Sequence, residues 1–381
     1  MRRDLPIIAL LFFLPLILFW PQTMGGKTLL PAENLYQWEP FYTYRDEAGA
    51  PDRPHNHLLS DLVLQNMQWK TFTRQQFADG EIPLWNPYQF AGIPFLAAGQ
   101  QQVLYPLVVL YVILPLAAAY GWFTVIHLWL AGVFMFGFVR ALGTSRFAAV
   151  LAAITYQASC AMLVTSAVFP MIIGAAIWLP LILLAVEFIL RGRTLAGRTA
   201  APLWAAVGAL AVGCSVLSGH AELTIYTLLI AGYFAGARLL GLLLARQPIL
   251  SVAGKAGWLL GMVAVGLLLS AVQLVPLVEF VQTNWRAERS SLEQVLSYAH
   301  PARDLVQFLL PNFYGSPAHH AYFDLFGGGW QPALTQPDGL QVIDWGIKNY
   351  VESALYVGIT AAGACGIRAS RAATDRARHT G

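Results

Sequence analysis

Long apolar runs separated by short polar links are the main pattern of this sequence. An α-helix needs about 20 mostly apolar residues to cross a bilayer. A first run extends from Leu5 to Trp20, and six later runs occupy 121–139, 147–168, 170–190, 202–218, 222–244 and 256–276. The pattern predicts an all-α, polytopic integral membrane protein whose central unit, residues 121–276, is a bundle of six spans.

The first apolar run is preceded by two arginines, as in a secretory signal. Pro21 and the residues after it offer no small-residue cleavage site of the usual kind. We therefore interpret residues 1–21 as an uncleaved first transmembrane helix with its N-terminus in the cytoplasm. Arg2 and Arg3 then lie inside, where membrane proteins concentrate basic residues.

The links between the later runs show the same charge asymmetry. Those predicted to be cytoplasmic contain basic residues and no acid: Arg140, Arg146, Arg191, Arg193, Arg198, Arg246 and Lys255. Two longer polar segments, 22–120 and 277–352, are instead acidic on balance. The asymmetry predicts that both are large extracytoplasmic loops on one face of the membrane.

Within the first loop, 58–77 has helical spacing of apolar residues and predicts an amphipathic helix near the membrane surface. The run 103–119 leaves two alternatives open, a full span or a re-entrant segment. Pro106 and Pro115 favour the re-entrant segment, which also keeps Arg140 and Arg146 inside. At the other end, 353–381 predicts a partial last span and a disordered tail, as expected for a truncated or frame-shifted piece of a longer protein.

Composition supports lipid as the solvent. Hydrophobic residues make up 57% of the chain and charged residues 11%, against about 25% charged in soluble proteins. The three cysteines lie in apolar runs, which disfavours a disulfide framework. There is no basic patch suited to nucleic acid.

Ionisable groups inside the apolar runs are few, which disfavours an ion or proton pathway. Glu187 has Arg191 four residues later, so an ion pair at a helix end is expected. Arg238 is expected to extend to the inner interface. The polar groups with possible chemistry gather instead at the outer helix ends, at His220, Glu222 and Gln273.

Asp61 precedes the amphipathic helix and could lie near lipid head groups. A carboxylate there can deprotonate a hydroxyl or coordinate a divalent cation, although capping the helix is the simpler role. Trp85 and Asn86 supply a ring face and an amide of the kind that binds sugars, or alternatively part of an aromatic belt. No metal-ligand set is apparent in the sequence.

Several ordered motifs resemble one family. The run Glu81-Ile-Pro-Leu-Trp-Asn-Pro-Tyr-Gln-Phe-Ala-Gly-Ile-Pro-Phe-Leu-Ala, followed by Gln101 and Tyr105-Pro106, is similar to the first-loop signature of the bacterial YfhO family of membrane proteins. Further matches are Gly219-His-Ala-Glu222, Val272-Gln-Leu-Val-Pro-Leu-Val-Glu279, Leu310-Pro-Asn-Phe-Tyr-Gly315 and Tyr356-Val-Gly358.

The resemblance implies a multi-pass protein of the bacterial cytoplasmic (inner) membrane, with a helical bundle like that of the GT-C glycosyltransferases. Such enzymes move a sugar from a polyprenyl-phosphate carrier to an extracytoplasmic acceptor, here a cell-envelope glycopolymer. It places the catalytic base at Asp61, and we expect Trp85, Asn86, Gln101, His220, Glu222 and Gln273 to bind the substrate. The alternatives are a non-catalytic lipid or polyisoprenoid transporter, an envelope assembly factor, or an inactive fragment.

Overall fold

A computed structural model describes residues 4–52, 54–195, 197–282, 291–297, 299, 302–317, 321–324, 327–332, 350–351 and 356. The predicted tail at 353–381, apart from residue 356, and much of the predicted second loop lie outside the described residues.

The polar segment after the first helix folds into short helical pieces on one end of the bundle. Helix α1 (Leu5–Leu18) leads through α2 (Trp20–Thr23) into 3₁₀ turns at Ala32–Gln37, Tyr42–Tyr44 and His57–Leu59. A π-helical turn (Leu62–Asn66) then runs into α3 (Met67–Ala78), so the predicted amphipathic segment is helical. Its buried side chains include Trp69, Lys70 and Phe72.

A small hairpin and three short helices complete this segment. Strand β1 (Trp85–Asn86) pairs antiparallel with β2 (Ile93–Pro94), and α4 (Phe95–Ala98) follows. A 3₁₀ turn (Pro106–Val108) and α5 (Val109–Ile113) precede Pro115. Five helical residues rise about 8 Å, so α5 cannot cross a bilayer.

The long apolar helices begin at Leu116. They are α6 (Leu116–Ala141), the consecutive pair α9 (Pro170–Ala176) and α10 (Leu179–Leu190), α12 (Ala221–Leu244) and α13 (Ile249–Leu269). With α9 and α10 taken as one, the described residues contain four helices long and apolar enough to span a membrane. They contain up to five if the bent pair α7 (Arg146–Gln157) and α8 (Cys160–Val168) counts as one span.

The remaining apolar helices are shorter. They are α1, α11 (Ala201–Leu217) and α14 (Ala271–Gln282). Beyond them lie α15 (Leu292–Ser297) and a 3₁₀ turn at Ala302–Phe308. The described residues also contain two further hairpins, which pair β3 (Thr194–Leu195) with β4 (Arg198–Thr199), and β5 (Ala321–Asp324) with β6 (Gly329–Pro332). The predicted all-α, multi-pass class is confirmed.

Small residues allow the central helices to approach closely. A Cβ atom on Gly266 of α13 would lie 2.6 Å from Val212 Cβ of α11, and Gly208 of α11 faces the side chain of Met262 in the same way. Such close contacts are the usual basis of helix association in lipid, where the hydrophobic effect between helices is absent. Val212 and Met262 belong to the hydrophobic core that α11 and α13 share with α10.

Two arginines pair with one buried carboxylate near the basic ends of the helices, and the pairing of Arg238 differs from expectation. Glu187 is fully buried and accepts a hydrogen bond from Arg191, as predicted from their spacing. Arg238 also binds Glu187, with its Nη2 atom 2.8 Å from Oε1, instead of extending alone to the interface. A buried carboxylate needs compensating charge, and the second arginine comes from a helix 51 positions later in the chain.

Candidate functional site

The π-helical turn Leu62–Asn66 positions the predicted catalytic residue. Asp61 stands immediately before this turn with its side chain exposed, and Gln65 Nε2 donates a hydrogen bond of 2.9 Å to Asp61 Oδ1. A π turn widens the helix by one residue and is found frequently at functional sites. Asp61, just before this turn, and Gln65, within it, both face the same cavity.

Asp61 borders a cavity of about 270 Å³. Three segments form its walls: residues 61–69, the loop at Gln100, and residues 168–172, with His220 completing the rim. The lining combines polar and apolar groups: Asp61, Leu62, Gln65, Asn66, Trp69, Gln100, Val168, Phe169, Pro170, Met171, Ile172 and His220. The structure thus brings together Asp61 and His220, which are far apart in the sequence.

His220 is fixed by the turn between α11 and α12. Its Nδ1 accepts a hydrogen bond from the Leu223 backbone N–H at 3.2 Å, so the neutral ring carries its proton on Nε2. Burial lowers the pKa of His220 below its usual value, and the nearby Glu222 carboxylate opposes this effect. The imidazole is therefore kept neutral, with Nε2–H available as a hydrogen-bond donor.

Two glycines bring the Gln100 and His220 walls into contact. Gly219 has φ +81°, and a Cβ atom there would overlap the carbonyl oxygen of Gly99. Gly99 itself has φ +79°. The close approach requires the absence of a side chain at Gly219, and the positive φ of Gly99 favours glycine there as well, so the Gly99–Gly219 contact sets the position of the neighbouring Gln100 and His220.

Gln273 lies behind this contact and does not border the cavity. Its side chain is 1% exposed, and the Nε2 atom would be 3.2 Å from a Cβ atom built on Gly99. Neither polar atom of its amide has a hydrogen-bond partner among the described residues. Gln273 therefore packs against the back of the wall that carries Gln100.

Four other predicted binding residues lie outside the cavity lining. Trp85 packs its ring on Gly92 in the β1–β2 hairpin, and the Asn86 Oδ1 atom accepts a 3.0 Å hydrogen bond from Tyr88 N–H. Gln101 is buried beneath the loop, with its carbonyl oxygen bonded to Lys70. Glu222 is exposed and accepts a hydrogen bond from the Tyr226 hydroxyl. Substrate binding by these four residues stays a prediction.

The structure adds lining residues that sequence reasoning missed. Asn66 is held by the Tyr120 hydroxyl, which donates to its Oδ1 at 2.7 Å, and Trp69 presents a ring at the wall. Both lie on the same helical segment as Asp61. Their positions along the chain after Asp61 could have indicated that they share its side of the helix. The π turn, however, shifts which residues face that side compared with an ideal α-helix.

The charge of the cavity limits its ligands. Among the described lining residues, Asp61 alone carries a formal charge at neutral pH, and Lys and Arg do not contribute. In the described part of the chain, no group of three or more His, Cys, Asp and Glu side chains is placed to hold a metal ion. The polar and apolar parts of the lining suit a hydroxyl-rich group beside an apolar one.

This architecture defines the class as a multi-pass helical membrane protein with a mixed polar and apolar cavity beneath its first polar segment. Residues 48–196 match the model of the family described as "Bacterial membrane protein YfhO". The predicted resemblance is thereby confirmed, and the matched segment includes Asp61 and every other lining residue except His220. No curated protein matches the chain, and neither does any solved structure.

Proposed function

We propose that the chain acts as a membrane glycosyltransferase of the GT-C type, moving a sugar from a polyprenyl-phosphate carrier to an extracytoplasmic acceptor such as a cell-envelope glycopolymer. The observation that carries the proposal is the meeting of Asp61 and His220 in one cavity. Its polar residues suit a sugar, and the apolar residues 168–172 suit the first isoprene units of the carrier.

The reaction needs one general base and one hydrogen-bond donor for the leaving phosphate. The Asp61 carboxylate accepts the proton of the acceptor hydroxyl as the acceptor oxygen bonds to the anomeric carbon. The bond from that carbon to the phosphate oxygen breaks, and the polyprenyl phosphate leaves with the electron pair. His220 Nε2–H donates a hydrogen bond to the leaving phosphate.

A single carboxylate in the described lining also bears on stereochemistry. A retaining mechanism with a covalent intermediate uses a second carboxylate close to the first, whereas direct displacement uses one base. The arrangement therefore supports one displacement, with inversion at the anomeric carbon. Holding both reactants at one interface supplies part of the acceleration.

Replacing Asp61 with Asn tests the assignment. We expect Asp61→Asn to lower the rate of sugar transfer by about 10²–10⁴-fold, the usual contribution of a general base. Purified protein in lipid vesicles is given a panel of polyprenyl-phosphate hexoses and a glycan acceptor, and labelled product is counted. The matched control is Asp79→Asn, because Asp79 is an exposed acid of the same segment outside the cavity.

The same variant separates an enzyme from a carrier. Asp61→Asn with full carrier binding, a normal melting temperature and lost transfer supports the enzyme. Transfer that survives in Asp61→Asn as well as in Asp79→Asn contradicts the proposed base. Transbilayer movement of the carrier lipid by the wild type, without transfer to any acceptor, would instead indicate a lipid transporter.

A further inference from the structure

Lys70 is a buried cation on α3, one residue after the cavity-lining Trp69. Its side chain is fully buried, and in the described part of the chain no carboxylate lies within ion-pair distance of it. Buried lysines without an acid are costly, so their contacts generally have a specific purpose. Lys70 plays no part in the proposed transfer step.

The ammonium group of Lys70 joins α3 to the loop that carries Gln100. Its Nζ donates hydrogen bonds to the Gln101 carbonyl oxygen at 2.8 Å and to Gln102 Oε1 at 3.0 Å. It also lies 4.8 Å from the centre of the Tyr111 ring, within cation–π range. Two walls of the cavity therefore meet at this one nitrogen.

Gln102 extends the connection to the third wall. While its Oε1 accepts from Lys70, its Nε2 donates a 3.2 Å hydrogen bond to the carbonyl oxygen of Pro170, a lining residue. Gln102 has φ +60°, an unfavourable backbone conformation for a residue with a Cβ atom. The chain Lys70–Gln102–Pro170 thus runs through all three walls.

We propose that Lys70 is a positioning residue that holds the three walls of the cavity in register through Gln101, Gln102 and Pro170. The role follows from the contacts alone and does not depend on which ligand the cavity takes. The positioning role of Lys70 rests on the proposed function in one respect, which is that this cavity is taken as the functional site.

The role should depend on pH. Burial lowers the pKa of Lys70 to about 7, and the helix lies outside the membrane-spanning segments. Tyr111 on α5 faces the ammonium group, and beyond it His127 on α6 bonds to the Tyr105 hydroxyl. Deprotonation above pH 7 removes the cation–π contact and leaves two neutral hydrogen bonds, which are roughly half as strong as charge-assisted ones.

The experiment measures the spacing of the walls directly. Nitroxide labels are placed at Leu64→Cys and Ile172→Cys in protein without its native cysteines, and the distance distribution is recorded in vesicles between pH 5.5 and 9. We expect a narrow distribution at low pH that broadens with a midpoint near pH 7. Lys70→Arg, charged throughout, should remove the pH dependence, and Lys70→Met should be broad at every pH.

Arg74→Met is the matched control. Arg74 lies one turn along α3 and donates to the Leu114 carbonyl oxygen, away from the cavity. The distance distribution of the Arg74→Met variant should change with pH in the same way as that of the wild type. A wild-type distribution that does not change with pH overturns the proposal, including the case in which Lys70→Met fails to fold. An unchanged distribution in Lys70→Met overturns it as well. Neither result bears on Asp61, so failure here is distinguishable from failure of the proposed transfer.

Discussion

At the scale of single residues, the cavity depends on two kinds of position. Asp61 and His220 place a carboxylate and an imidazole in the cavity lining, whereas Gly219, which has no side chain, lets its segment approach the Gly99 backbone closely. The sequence indicated the first kind, because an acid before an amphipathic helix and a histidine in a tight turn stand out among apolar runs.

The second kind could be tested by adding one methyl group. Gly219→Ala should destabilise the protein by about 1–3 kcal/mol, since it combines an unfavourable φ with overlap of the Gly99 carbonyl. It should also weaken binding of the carrier lipid. Thermal melting and lipid binding measure the two effects.

Gly143→Ala separates the two causes. Gly143 has φ +88° and open space around its Cβ position, so the variant carries the backbone strain alone. We expect it to melt at a lower temperature than the wild type but to bind lipid normally. Equal binding losses in both variants would show that the Gly99–Gly219 contact has no special role.

The buried state of Lys70 was beyond sequence reasoning. A lysine on an amphipathic helix normally lies on its solvated face. Its burial follows from the return of residues 101–111 over α3, a long-range contact that periodicity does not encode. The backbone carbonyl oxygen of Gln101 accepts a hydrogen bond from this lysine, and substrate binding by the Gln101 side chain stays a prediction.

At the scale of elements, the apolar runs predicted most of the helices. The predicted run 147–168 is instead two helices meeting at 41°. The break has a local cause, because the Ser159 hydroxyl accepts from Met162 N–H and starts a new helix. The polar residues Gln157 and Ser159 in the middle of this run were the available signal.

Helix association can be tested at α13. Gly266→Leu should destabilise the bundle by about 1–3 kcal/mol or more, because the new side chain would be forced into Val212 of α11. Gly261→Leu, on the same helix with open space around its Cβ position, should be close to neutral. Melting in detergent measures both variants. Similar losses in the two would contradict the α11–α13 packing.

At the scale of the whole molecule, the ends of the helices fall into two groups. Arg146 pairs with Asp4 at 2.9 Å, so the start of α1 and the α6–α7 link share one end of the bundle. The hairpin that contains Arg198 lies just before α11, and His220 lies just after it. The cavity at His220 is therefore at the opposite end of α11 from the basic Arg198 hairpin. The arginine pattern predicts that the cavity end is extracytoplasmic.

The number of spans was the least predictable feature at this scale. Composition alone gives apolar length, but the tilt and breaks of each helix depend on its neighbours. Helix α11 is only 17 residues long, and one side of it is buried against its neighbours while Leu203 and Leu210 on it are exposed. Apolar run length alone does not show which side of such a helix is buried.

The most direct test of the account is cross-linking across the cavity. Cysteines replace Asp61 and His220 in otherwise cysteine-free protein, and a short bifunctional thiol reagent is added to intact membranes. We predict efficient intramolecular cross-linking of this pair, and none when Asp79 is replaced in place of Asp61. Failure of the Asp61–His220 pair to cross-link, with each cysteine separately reactive, would contradict the shared cavity.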